Sequence, residues 1–140
     1  MQTIAVMPEG DLTINGQGTI SGYSSNNNYW IALWVYGGKA TINGGTFTNE
    51  GTGTDTQYDL IYASFGGELV INGGEFKGKT PAWLLNIQDS DRATTSIEVK
   101  GGKFYGLDPS NSLSEGAGTN FVAEGFTVVE DNGVFTVVAE

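Results

Sequence analysis

A repeat with a period of about 28 residues constrains this chain more than any other feature. Four segments line up: Leu12-Thr13-Ile14-Asn15-Gly16, Ala40-Thr41-Ile42-Asn43-Gly44, Leu69-Val70-Ile71-Asn72-Gly73 and Ile97-Glu98-Val99-Lys100-Gly101. Their glycines stand 28, 29 and 28 residues apart. A second glycine follows in each copy, at Gly18, Gly45, Gly74 and Gly102, and two residues later come Ile20, Phe47, Phe76 and Phe104. Self-similarity at such a period is the mark of a stacked-repeat architecture, in which each unit buries its apolar face only against its neighbours.

Each copy predicts strand, turn, strand. Alternate residues of the first strand are apolar, the period-two pattern of a strand with one face buried. The glycines that follow, Gly44 and Gly73 foremost, are expected to supply the positive φ that lets the chain corner sharply, and the aromatic or Ile beyond points back inside. A third strand precedes the next copy, at Trp30–Tyr36, Asp59–Phe65 and Ala82–Gln88. Three short strands per coil, recurring in register, predict an all-β fold: a short right-handed parallel β-helix of about four three-strand coils. Neighbouring coils then sit ~4.8 Å apart. Asp11, Lys39 and Glu68 fall on one outward ladder of alternating charge, and Glu75 and Lys103 on another.

The repeat occupies residues 1–106 of the domain organisation, and residues 107–140 form a loop and a capping hairpin within the same compact domain. Asp108–Asn120 is rich in Ser, Gly and Asn and reads as loop. Asn132-Gly133 between two β-rich runs, Phe126–Val129 and Val134–Val138, predicts the terminal β-hairpin. At the other end, Ile4-Ala5-Val6-Met7 is expected to cover the first coil, since a solenoid must protect its edges.

Composition narrows the function classes. The chain has 140 residues, 6 basic against 16 acidic, for a net charge of −10. That lacks the basic footprint of a nucleic-acid binder and disfavours anionic lipid, so neither nucleic acid nor membrane is expected as a partner. No apolar run approaches the ~20 residues of a span, and the first residues lack the basic and apolar regions of a signal peptide. There is no histidine and no cysteine, which removes the commonest general base, the thiolate nucleophile and the usual transition-metal ligands. Asp55, Asp59, Asp89, Asp91 and Asp108 scatter over turns, with Arg92 the sole arginine, whereas glycoside hydrolysis needs carboxylates converging in one groove. The expectation is no enzyme, no catalytic residue, no cofactor and no metal.

The third strand is apolar on both parities, and strands of that kind are usually covered on both faces. Large side chains are therefore left outside, either Trp30, Trp34 and Tyr36 or the alternate set Ile31, Leu33 and Val35, and the expected role is a subunit interface drawn from Trp30, Trp34, Tyr36, Ile61, Phe65 and Leu84. The same aromatics suit a sugar-stacking platform as the alternative.

The coil phrases Ile42-Asn43-Gly44-Gly45-Thr46-Phe47 and Ile71-Asn72-Gly73-Gly74-Glu75-Phe76 resemble those of pectate-lyase-like β-helix proteins. The tail, Gly102-Lys103-Phe104, Asp108-Pro109-Ser110, Phe121–Val128 and Asn132–Val138, is similar to the ending of head-fibre and capsid decoration proteins of tailed phages of gut bacteria. The resemblance implies a structural virion accessory protein, a homotrimer on the particle surface that acts by display or host attachment, with a capsid or other virion protein as partner. The alternatives are a carbohydrate-binding or adhesin module on a bacterial cell surface, with a cell-surface glycan as ligand, and a small polysaccharide lyase-like enzyme.

Overall fold

A computed structural model describes residues 2–24, 31–51 and 58–140. Three parallel sheets run along one axis. Sheet A holds β1 (Gln2–Val6), β4 (Ile31–Tyr36), β7 (Ile61–Ser64) and β10 (Leu85–Ile87); sheet B holds β2 (Asp11–Ile14), β5 (Lys39–Ile42), β8 (Glu68–Ile71) and β11 (Ser96–Val99). Sheet C begins with β3 (Thr19–Ser24), β6 (Thr46–Gly51), β9 (Glu75–Lys77) and β12 (Lys103–Tyr105). The strands recur in the order A, B, C, so the chain is a β-solenoid, and about three turns carry it from β1 to β10.

The register is the one the repeat demands. Ala40 and Ile42 stack on Leu69 and Ile71, and these on Ile97 and Val99. On sheet C, Phe47 lies beneath Phe76 and Phe76 beneath Phe104, with near-parallel rings at 5.2 and 4.7 Å. All three phenyl groups are fully buried. Period-two alternation sends one side chain in two to a common interior, and the core is a set of ladders of like residues.

The corner between sheets B and C is built differently from the sequence expectation. Positive φ belongs to Gly45 and Gly74, not to Gly44 and Gly73. The earlier glycine of each pair is required by proximity instead. A Cβ on Gly73 would stand 2.5 Å from the Asn43 carbonyl oxygen of the coil below, and one on Gly44 would strike the Gly16 carbonyl. Beside this corner the amides of Asn15, Asn43 and Asn72 form a ladder: Asn43 Nδ2–H donates to Asn15 Oδ1 at 2.8 Å and Asn72 Nδ2–H to Asn43 Oδ1 at 2.9 Å.

Two elements differ from expectation. Residues 4–7 are not a lid: β1 pairs in parallel with β4 and is the first rung of sheet A. The expected strand Ala82–Gln88 shortens to β10, because Pro81, which has no N–H to give a ladder, opens a 3-10 turn at Pro81–Trp83.

The far end is closed on all three faces. On sheet C the hairpin of β13 (Phe126–Asp131) and β14 (Val134–Ala139) adds antiparallel to β12. On sheet B, Val122 bridges Val99. On sheet A the loop supplies side chains: Ser114 Oγ donates to the Leu85 carbonyl at 2.8 Å, and Glu115 Oε1 accepts the Ile87 N–H at 2.6 Å. The last coil's backbone groups thus find partners that a further coil would otherwise provide. At the near end Ile4, Leu12, Ile14 and Ile20 are only half-buried, whereas Leu33, Ile42 and Phe47 one coil on are fully buried.

Candidate functional site

The outer surfaces of the three sheets are chemically unlike. Sheet B turns Asp11, Lys39, Glu68 and Ser96 outward, with Thr13, Thr41, Val70 and Glu98 on the second outward row. Sheet C presents Thr46, Thr48, Glu75, Lys77 and Lys103. Sheet A presents aromatic rings.

Parity on sheet A is settled by β4, where Ile31, Leu33 and Val35 are in the core and Trp34 and Tyr36 stand outside, half-buried. In register with Trp34 come Tyr62 and then Asn86. The rings touch: Trp34 meets Tyr36 edge-on at 5.3 Å and Tyr62 at 5.8 Å, and Tyr36 meets Phe65 at 4.5 Å. Two polar handles hold them. Trp34 Nε1–H donates to Ser64 Oγ at 2.8 Å, and the Tyr62 hydroxyl donates to Gln88 Oε1 at 3.4 Å. Phe65 is 50% exposed with φ at +52°, a backbone region that a bulky residue rarely adopts. The Asp91 carboxylate accepts its N–H at 2.8 Å and so fixes the turn that presents the ring.

Of the residues expected at an interface, Trp34, Tyr36 and Phe65 are thus brought together on one surface. Ile61 and Leu84 are not. Both are fully buried in the solenoid core and are corrected to core positions, Ile61 because it shares the inward parity of Leu33 and Leu85. Trp30 lies outside the described residues, as does Asp55. Tyr62 is the member that the sequence reading missed; its place one coil after Trp34 was the available signal.

At its far end the aromatic surface passes into a cleft of about 320 Å³ lined by Tyr62, Trp83, Asn86, Gln88, Asp89 and Ser114. Behind it Asp59 Oδ1 accepts Asn86 Nδ2–H at 2.7 Å. Burial pushes the Asp59 carboxyl up to about 6, against the lowering effect of the Asn86 bond and with a smaller push from Glu115. Burial, then the neighbouring carboxylates with Asp59 foremost, pushes the Tyr62 phenol up to about 12. Asn86 is buried, and its Oδ1 has no hydrogen-bond partner among the described residues. Arg92 is engaged by Asp89 at 3.1 Å and by Glu115 at 3.0 Å.

Asp59 faces an amide and Asp89 a guanidinium, so these two carboxylates are not poised as an acid and base across one bond. Among the described residues no three metal-ligating side chains gather. No family model, no curated protein and no solved structure matches the chain.

Proposed function

We propose that the protein is a structural, non-catalytic display module, a virion accessory protein of the capsid-decoration or head-fibre kind, that assembles with copies of itself through the outer face of sheet A. One observation carries the reading: three sheets share one core, and among the described residues only the outer face of sheet A adds a contiguous aromatic cluster, Trp34, Tyr36, Tyr62 and Phe65. Contiguous apolar patches of this sort mark interaction surfaces. A fully buried aromatic contributes ~150–250 Å²; Trp34, Tyr36 and Tyr62 are already half-buried in the protomer and Phe65 is 50% exposed, so the rings supply the centre of a ~1,200–2,000 Å² interface and their surroundings the remainder. A trimer with the sheet A face inside is the expected form, displayed on a particle and fixed there by a capsid or other virion protein. Light scattering on the purified protein tests the assembly: a trimer that Trp34→Ala with Tyr62→Ala reduces to protomers supports the reading, and a monodisperse monomer at micromolar concentration overturns it. Co-sedimentation with virions tests the location.

A second reading, a carbohydrate-binding module at a bacterial cell surface, draws on the cleft where the Tyr62 and Trp83 rings stand beside Asn86, Gln88 and Asp89. Ring faces and amide or carboxylate edges are the groups that hold a sugar. A glycan array separates the two readings, because binding there is lost in Trp83→Ala whether or not the protein is oligomeric.

A further inference from the structure

The capping region is electrostatically one-sided. All 6 basic residues lie at or before Lys103, while residues 104–140 hold Asp108, Glu115, Glu124, Glu130, Asp131 and Glu140 and no Lys or Arg. Within this region the loop and the hairpin enclose a cleft of about 570 Å³. Its floor is apolar, made by the half-buried Phe126, Val128 and Phe135. Its rim carries Asp108, Glu124, Glu130 and Glu140, the last three exposed. The cleft opens along β13, the outermost strand of sheet C, which pairs with β14 on one side only.

These features select an occupant. A free strand edge offers unpaired N–H and C=O groups to an extended chain, and strand addition takes its affinity from the main chain and its selectivity from alternate side chains. An apolar floor accepts one set of alternate residues; the other set leaves the added strand on the opposite face, beside Thr127, Val129 and Asp131, where the field of the surrounding carboxylates favours cations. A second copy of the protein, cap to cap, would set carboxylates against carboxylates and is disfavoured.

We propose that the cleft along β13 is a docking site for an extended segment of a partner protein in which apolar residues alternate with lysine or arginine, added to sheet C as a further strand. The site is independent of how copies assemble through sheet A. It assigns the capped end of the solenoid to a partner and leaves the aromatic face free for self-association.

The test uses the full chain and a fluorescein-labelled eight-residue peptide alternating valine with lysine, read by fluorescence polarisation. Saturable binding is expected, weakening steeply as salt rises. Glu124→Gln with Glu130→Gln should weaken it about tenfold; glutamine keeps the acceptor by which Glu130 Oε1 takes the Gly133 N–H at 2.7 Å, so the hairpin turn survives. A peptide methylated at alternate amide nitrogens should lose about as much, because it cannot complete the ladder. Glu9→Gln with Asp11→Gln removes the same charge at the opposite end and should leave affinity within about twofold. The proposal is overturned by no binding up to about 1 mM, by a valine–glutamate peptide binding equally well, or by the Glu9 and Asp11 pair weakening binding as much as the cap pair.

Discussion

Sheets A and B stack the same kinds of residue toward one interior and differ almost wholly on their outer sides. Inside, Leu33, Ile61 and Leu85 on sheet A match Ala40, Leu69 and Ile97 on sheet B. Outside, sheet B alternates Asp11, Lys39 and Glu68, a sequence of charges that water solvates without help. Sheet A sets Trp34 on Tyr62, with Tyr36 and Phe65 beside them. The inner ladders are what winding the chain into a solenoid requires. The outer aromatic ladder ties one coil to the next through the Trp34–Tyr62 contact and the Trp34–Ser64 hydrogen bond, and it leaves apolar surface on the outside, which the charged ladder of sheet B does not.

The comparison breaks most visibly in the core. Ile61→Ala on sheet A and Ile71→Ala on sheet B should each cost ~2–5 kcal/mol in denaturant unfolding, because each leaves a cavity in a packed interior. If Ile61→Ala disturbed only the oligomeric state and left protomer stability intact, its placement beside Leu33 would be wrong. Asp59, which leads into β7, should have the next largest effect, and sheet B carries no counterpart. Its folded pKa of about 6 lies above the ordinary 3.8, so the folded state binds the proton more tightly. Stability from this group is therefore greatest at low pH and falls as pH rises from about 4 through 6, by about 3 kcal/mol at most on ~1.4 kcal/mol per pKa unit. Asp59→Asn should raise the melting temperature at pH 7.5 and change it little at pH 4.5. Equal shifts at both pH values would show that the effect is packing and not charge.

Smaller effects follow on the outer faces. Trp34→Ala should cost the isolated protomer ~1 kcal/mol through its ring contacts while abolishing assembly, seen as separate changes in thermal unfolding and light scattering. On sheet B, Lys39→Ala breaks the exposed ion pair with Glu68 at 3.3 Å and should cost ~0.2–1 kcal/mol with no change in mass. A Lys39→Ala that changed the mass in solution as much as Trp34→Ala would erase the distinction between the two faces.

The solenoid was legible because its period is written several times over. Three copies of an apolar-x-apolar-Asn-Gly phrase fix both parity and register, and the structure keeps both. The third strand was legible in place but not in parity, since Ile31–Tyr36 is apolar at nearly every position and alternation says nothing there. The same ambiguity in Leu60–Phe65 and Trp83–Leu85 places Ile61 and Leu84 outward on sequence grounds, and it gives Tyr62 no distinguishing signal. The polar half of the site was not legible at all. Glu115 sits in a Ser- and Gly-rich loop with no pattern around it, yet it reaches 28 residues back to the Ile87 N–H. Asp59 owes its proton affinity to burial, against the lowering effect of its Asn86 bond, and that burial exists only when one coil lies on the next.

The stacked phenyl rings of Phe47, Phe76 and Phe104 have a consequence for size. Because each coil presents to the next the same surface that it receives, the molecule's length is counted in whole numbers. Copying one coil, from Lys39 through Gly67, would add one step of ~4.8 Å and leave both ends as they are. Adding a single residue inside a strand would instead exchange its inner and outer sides. The length of such a protein changes by whole coils.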